Sequence, residues 1–124
     1  MIAADTSSLI AYFAGDAGPD VTAIGDALQG WQLVLPPVVL TEMLSDPRAS
    51  LALVSHLTEV PLLDLEPAFW RRAGLLRSKV LARGHESRVA DALIAQSCID
   101  HGVALITRDR DFRHYVRIGG LRLT

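Results

Sequence analysis

Short apolar runs, separated by stretches with helical spacing, constrain this chain more than any other feature. Five runs have the length and composition of strands: residues 2–5, 32–35, 60–63, 103–107 and 116–123. The stretches between them have the apolar spacing of helices or short helical turns: residues 6–13, 19–28, 38–44, 48–57, 66–82, 87–101 and 108–115. Strands that alternate with helices favour a mainly parallel sheet covered on both faces. We therefore predict an α/β fold with four or five short strands.

The length of the chain, 124 residues, fits one domain, 1–124, and is too short to supply two cores. Half of the residues are hydrophobic and the mean hydropathy is +0.28. Such a composition is more apolar than a monomer of this size needs, so it predicts a homodimer. The single cysteine, Cys98, excludes an internal disulfide and fits a cytoplasmic location. Residues 27–41, the longest uncharged stretch, contain two prolines, so we expect neither a signal peptide nor a membrane span.

Charge is divided unevenly along the chain. Residues 1–70 carry nine Asp and Glu against one Arg, whereas residues 71–124 carry eleven Arg and Lys against five acids. Eleven of the twelve basic residues are arginine, which can bind a phosphate through two parallel hydrogen bonds. The second half is therefore suited to a polyanionic partner, although arginines on solvated helix faces would give the same count.

Two acidic residues come directly after predicted strands. Asp5 ends the first strand, and Asp109 follows the strand at 103–107 by two residues. In an open parallel sheet, ligands bind beyond the carboxyl ends of the strands. We therefore expect both carboxylates at that edge of the sheet.

Two further acidic residues lie near the starts of helices that share this edge. Glu42 is in the second turn of the helix entered from the strand at 32–35, and its side chain tilts back toward the helix start. Asp91 lies in the first turns of a helix whose far end leads into the strand at 103–107, so the start of that helix is at the carboxyl edge. All four acids are therefore predicted on one rim.

A rim with four carboxylates favours a divalent cation, because like charges held together must bind protons or cations at neutral pH. Hard oxygen ligands select Mg²⁺ or Mn²⁺. Zinc is disfavoured, since the four histidines lack ligand spacing and there is one cysteine. Carboxylate-bound Mg²⁺ activates water and neutralises a phosphodiester, so the pattern predicts a nuclease.

Each acid also has an ordinary structural explanation. Asp5 and Asp109 precede helices and could be amino-terminal caps, and Asp91 could favour a helix dipole. Glu42 lies beside an apolar stripe and needs a partner or an exposed face. Asp111 is expected to be exposed or a cap, with an auxiliary role in the acidic cluster as the alternative. Their joint placement on one edge, rather than any single acid, supports metal binding.

Four segments of the sequence resemble the PIN domain, and within it the VapC-type toxins of bacterial toxin–antitoxin pairs. These segments are residues 2–8 (IAADTSS), 36–42 (PPVVLTE), 89–95 (VADALIA) and 105–112 (LITRDRDF). The resemblance implies a three-layer α/β/α fold, Mg²⁺- or Mn²⁺-dependent endonucleolytic cleavage of RNA, a homodimer, and inhibition by a small antitoxin protein. The acidic quartet of the family falls on Asp5, Glu42, Asp91 and Asp109.

The resemblance also suggests residues that support the quartet. Thr6 or Ser7, together with Thr107, match hydroxyl positions that assist the metal or phosphate, although capping and turn hydroxyls have the same pattern. Arg108 and Arg110 flank the site and could hold RNA phosphates, with solvated surface charge as the alternative.

Some residues near the motifs are given no role in metal binding. Residues 84–88 match the family less closely, so His85 and Arg88 are left out of the metal shell. Trp31 and Trp70 have apolar neighbours and are predicted as core or dimer contacts rather than as a platform for stacked bases.

Three other functions share part of this pattern. A receiver-type signalling domain would need a lysine after a late strand, whereas the only lysine is Lys79 in a predicted helix. A phosphatase with an aspartyl nucleophile would have Asp-x-Asp after the first strand, and position 7 is Ser7. A catalytically silent PIN fold that binds RNA or a protein has the same residues, and it stays open as the alternative.

Overall fold

The computed structural model describes residues 1–124 and has a parallel sheet of three short strands. They are β1 (Ile2–Ala4), β2 (Leu33–Val34) and β3 (Ala104–Ile106), in the order β2-β1-β3. Ile2 is aligned with Leu33 on one side and with Ala104 on the other. The α/β class and the parallel arrangement are confirmed, whereas the prediction of four or five strands is wrong.

The two missing strands are reduced to isolated bridges. Leu62 bridges Leu35, where the Pro61 carbonyl accepts from the Leu35 amide at 2.9 Å. Pro61 has no N–H of its own, so it cannot donate to a ladder. Near the end of the chain, only Leu123 bridges Leu105. The first half of the predicted strand at 116–123 is instead the end of a helix that runs to Gly119.

Seven α-helices surround the sheet. They are α1 (Thr6–Phe13), α2 (Pro19–Gln29), α3 (Pro37–Leu44), α4 (Leu51–Glu59), α5 (Phe69–Ala82), α6 (Val89–His101) and α7 (Arg113–Gly119), with a 3-10 turn at Arg110–Phe112. The helix predicted from residue 48 begins later because the Ser50 hydroxyl caps it, accepting from the Leu53 amide at 3.1 Å. Gly102 ends α6 in the left-handed conformation, with φ of 62°, as its sequence position predicts.

The order of the strands places helices on both faces of the sheet. The connection from β1 to β2 contains α1 and α2, and the connection from β2 to β3 contains α3 to α6. Parallel crossovers are right-handed. Since these two run in opposite directions across the sheet, they cover opposite faces. The fold is therefore a three-layer α/β/α sandwich.

One continuous core of 23 buried residues lies between the layers. Ala3, Leu105 and Ile106 in the strands have no solvent exposure, because helices cover both sides of the sheet. No helix has both the length and the apolar character needed to cross a membrane.

Ion pairs at one end of the molecule establish the direction of α5 and α6. Arg72, near the start of α5, pairs with Asp100 near the end of α6 at 2.6 Å and with Glu66 at 2.6 Å. Because α6 leads into β3, this end of the molecule is the amino edge of the sheet. The start of α6 therefore lies at the opposite, carboxyl edge, as the sequence predicts.

The two tryptophans are not core residues. Trp31 is 84% exposed and Trp70 is 58% exposed, so the prediction of core contacts is wrong and dimer contacts stay a prediction. Trp31 has a positive φ of 55°, a conformation that side chains with a Cβ adopt at a cost. The turn before β2 is therefore strained by a residue that buries little surface.

Relieving this strain should stabilise the protein. We expect Trp31→Asn to raise the free energy of unfolding by about 0.5–1 kcal/mol, because asparagine tolerates the left-handed region and little burial is lost. Trp70→Asn, in α5, is the matched control and should lower it by about 1 kcal/mol. Urea denaturation measures both changes, and a less stable Trp31→Asn variant would contradict the strain.

Candidate functional site

Asp5 is the buried centre of the carboxyl edge. It follows β1, caps the start of α1, and is only 3% exposed. Its oxygens accept hydrogen bonds from the Ser8 amide at 3.0 Å, from the Ser7 hydroxyl at 2.9 and 3.0 Å, and from the Thr107 hydroxyl at 2.6 Å. Burial raises the pKa of Asp5 above its ordinary value, and these hydrogen bonds lower it in part. The carboxylate thus acts as a cap and also concentrates negative charge behind the rim.

Thr107 links Asp5 to the loop that follows β3. Its hydroxyl donates to Asp5 and accepts from the Asp109 amide at 3.0 Å. Asp109 in turn caps the 3-10 turn, since its carboxylate accepts from the Asp111 amide at 2.9 Å. The Asp111 side chain itself is exposed. One hydroxyl therefore links the position of Asp109 to that of Asp5.

Glu42 is held at the same rim from the other side. Its Oε1 atom accepts a hydrogen bond from the Thr6 hydroxyl at 2.7 Å, and Thr6 directly follows Asp5. Glu42 lies in α3, whose start at Pro37 follows β2 after a short turn. The partner that a carboxylate beside an apolar stripe needs is therefore a hydroxyl of the neighbouring helix.

Asp91 lies in the first turn of α6, and it has a cation beside it. It is 6% exposed, and its Oδ1 atom is 3.2 Å from a terminal guanidinium nitrogen of Arg88. Burial raises the pKa of Asp91, Arg88 lowers it, and the charge of Asp109 raises it further. The pKa of Arg88 is raised mainly by Asp91, and also by the charges of Glu42 and Asp109. The contact with Asp91 places Arg88 at the rim.

The four acids share one rim but do not form a finished coordination shell. Asp5 reaches Asp109 through Thr107, Glu42 is bonded to Thr6, and Asp91 is paired with Arg88. No group of three or more His, Cys, Asp or Glu side chains lies close enough together to hold a metal ion. The available ligand atoms nevertheless suit a hard cation, since carboxylates and hydroxyls supply only oxygen. Binding of one ion by several acids requires their side chains to turn inward.

Arg108 is engaged within the protein. Its Nε atom and one terminal nitrogen bind the two oxygens of Asp20 at 2.7 and 3.1 Å, and the same terminal nitrogen donates to the Ala17 carbonyl at 3.3 Å. The Ser8 hydroxyl also donates to Asp20 at 2.9 Å. Arg108 thus fastens the loop after β3 to the start of α2, which does not leave its fork free for RNA phosphate. Arg110 is exposed and has no ion pair. Of the two arginines predicted to hold RNA phosphates, Arg110 is therefore the one whose guanidinium is unengaged.

Two residues of this network were missed by sequence reasoning. Asp20 follows Pro19 and has the pattern of an ordinary first-turn acid, so nothing local marked its pairing with Arg108, 88 residues away. Arg88 has no role in the sequence-based prediction of the metal shell because its segment matches the family loosely. The available signal was its position at the start of a helix, where a cation is normally disfavoured.

Comparison with known proteins places the chain in a family. The model of the PIN domain matches residues 2–118, and the chain therefore belongs to the PIN-domain family.

Among solved structures, the chain is similar to one in the crystal structure of VapBC2 from Rickettsia felis bound to a DNA fragment from their promoter. The two share 21% identity with a TM-score of 0.74, over 100% of this chain and 98% of that chain, so the likeness shows a common fold. No curated protein matches the sequence.

Removing the Thr107 hydroxyl tests the link between Asp5 and Asp109. We expect Thr107→Val, which keeps the shape of the side chain, to lower the free energy of unfolding by about 1–3 kcal/mol, because a buried carboxylate loses a donor. The control is Thr22→Val, whose hydroxyl bonds the Gly18 carbonyl on an exposed helix and whose loss should cost less than about 0.5 kcal/mol. Equal effects in denaturant titrations would contradict a special role for Thr107.

The pairing of Asp20 with Arg108 predicts a loss of stability in acid. Hydrogen bonds from Arg108 lower the pKa of Asp20 from 3.8 to about 2. Because the folded value lies below the unfolded one, the pair stabilises the protein above the unfolded value, and this contribution is lost as the pH falls toward 2. Asp20→Asn should therefore be less stable than wild type near neutrality. As the pH falls from 3.8 to about 2, however, the variant should lose less stability than wild type. Urea midpoints measured against pH, with Asp26→Asn as the control, check this; parallel losses in wild type and Asp20→Asn would refute it.

Proposed function

We propose that this protein is a Mg²⁺- or Mn²⁺-dependent endoribonuclease and the toxin of a toxin–antitoxin pair. The observation that carries the proposal is the buried Asp5 at the carboxyl edge, joined through Thr107 to Asp109, with Glu42 and Asp91 on the same rim. PIN domains are generally nucleases, which agrees with this arrangement. The catalytic and metal-binding residues that we propose are Asp5, Glu42, Asp91 and Asp109.

The residues at the rim fit a hard divalent cation. Asp5 and Asp91 are carboxylates whose burial disfavours the charged form, so an added positive charge would stabilise both. All available donors are oxygen atoms, which suits Mg²⁺ and Mn²⁺ better than zinc. When bound, such an ion supplies an activated water and neutralises charge on a phosphodiester.

The remaining residues of the rim orient the acids and the substrate. The hydroxyls of Ser7 and Thr107 hold Asp5 in place, and that of Thr6 holds Glu42. We assign an auxiliary negative charge to Asp111, which is exposed and lies two residues after Asp109. We assign the exposed guanidinium of Arg110, the residue after Asp109, to binding of an RNA phosphate.

The proposed partners are an RNA substrate, an antitoxin protein and a second copy of the chain, in the cytoplasm. The antitoxin and the homodimer follow from the resemblance to VapC-type toxins, and the similar Rickettsia felis structure is of a VapBC2 complex. Exposed apolar side chains along α5 and α6, among them Trp70, Leu81 and Val89, offer surface for a protein partner.

Cleavage of RNA tests the proposed activity. Purified protein incubated with mixed RNA and Mn²⁺ should produce fragments, and chelation by EDTA should stop the reaction. We expect Asp5→Asn and Asp91→Asn to lower the rate at least about 100-fold, since each removes a charged ligand of the rim. Asp26→Asn, a matched loss of charge near the far end of α2, should leave the rate unchanged.

Two outcomes would separate the alternatives. Equal cleavage by wild type and by both rim variants would reject the activity, because the RNA would then be cut by a contaminant or at another site. Mn²⁺ binding in calorimetry without any cleavage would instead favour a catalytically silent PIN fold that binds RNA or a protein.

A further inference from the structure

Arg88 occupies a position that local helix chemistry disfavours. It is the amino-terminal cap of α6, and its side chain makes no capping hydrogen bond. Small acceptor side chains are preferred at this position, and the helix dipole is unfavourable to a cation there. Ser87, the neighbouring residue suited to capping, instead shares a hydrogen bond with the Tyr115 hydroxyl. A residue that breaks a local rule in this way points to a role outside the helix.

The environment of Arg88 is the acidic rim. One terminal nitrogen lies 3.2 Å from Asp91, and the charges of Glu42 and Asp109 also act on the guanidinium. These are three of the four acids to which we assign the divalent cation. Arg88 is therefore a positive charge that the rim already contains, paired with one of these acids.

The side chain of Arg88 makes only one hydrogen bond within the protein. Its side chain is 73% exposed, and of its five N–H donors the structure engages only the group facing Asp91. Arg108 is different, because two of its nitrogens bind Asp20 and one also binds a backbone carbonyl. Leaving Asp91 costs Arg88 one hydrogen bond, but it also leaves the buried Asp91 carboxylate without its cation, so release requires another positive charge at the rim, such as a divalent ion. The planar fork of Arg88 suits a phosphate.

We propose that Arg88 is a counter-cation built into the rim: it competes with divalent cations for the acids and, when released from Asp91, binds an RNA phosphate beside them. This inference rests on the proposed function, since it concerns the same acids and the same substrate. It adds a residue, and a competition between two cations, that the family's acidic quartet does not include.

Mn²⁺ binding tests the competition without any need for activity. Isothermal titration of the whole protein with MnCl₂ should show tighter binding by Arg88→Gln than by wild type, by about three- to tenfold, because a positive charge is removed from the rim. Arg71→Gln is the matched control: it removes an exposed arginine from the first turn of α5, at the amino edge. Its affinity should stay within about twofold of wild type.

RNA binding tests the second part of the proposal. Fluorescence anisotropy with a single-stranded RNA oligonucleotide, in Ca²⁺ in place of Mn²⁺, should show weaker binding by Arg88→Gln, by about tenfold. The slope of log affinity against log salt should fall by about one, as expected for one lost phosphate contact. Arg71→Gln should change neither quantity, and circular dichroism of both variants checks the fold.

The outcomes distinguish this inference from the proposed function. Wild type that binds Mn²⁺ and cleaves RNA, together with unchanged Mn²⁺ affinity in Arg88→Gln, would overturn the role of Arg88 and leave the nuclease intact. Wild type that neither binds Mn²⁺ nor cleaves RNA would overturn both. Tighter Mn²⁺ binding with unchanged RNA affinity would overturn the phosphate contact.

Discussion

The buried carboxylate of Asp5 is the constraint on which the rest of the site depends. A charged group removed from water is costly unless donors surround it, and here Ser7, Ser8 and Thr107 supply them. The same hydrogen bonds start α1 and position the loop after β3. The requirement to satisfy one buried charge therefore joins two strands and a helix at the edge where the acids gather.

Two arginines balance the negative charge near this edge in different ways. Arg108 binds Asp20 through two nitrogens and joins segments that are distant in sequence, so it serves the architecture. Arg88 touches Asp91 through one nitrogen and remains largely in solvent, so its release costs one hydrogen bond and requires another cation beside the buried Asp91. The difference arises from the number of hydrogen bonds that each guanidinium makes. It also explains why the exposed arginine, rather than the engaged one, suits a role in binding.

Most of the fold followed from patterns that are local in the chain. Helices with clear apolar spacing and a definite end, such as α6 with Gly102, were predicted nearly to their boundaries. The short strands at the edges of the sheet were not, because a run of four apolar residues does not show whether a neighbour completes a ladder. Pro61 limits one such run to a single bridge, and α7 takes up the first half of the other.

The sequence by itself determined the alternation of strands and helices, and hence the edge on which Asp5, Glu42, Asp91 and Asp109 lie, because strand direction and helix direction follow from connectivity. Only the tertiary structure decided which partner each side chain has. Thr6 on Glu42, Thr107 between Asp5 and Asp109, and Asp20 on Arg108 are contacts between distant segments. A hydrogen bond requires its donor and acceptor to be positioned to within a fraction of an ångström. Between distant segments, such positions are reached only when the separate elements pack together.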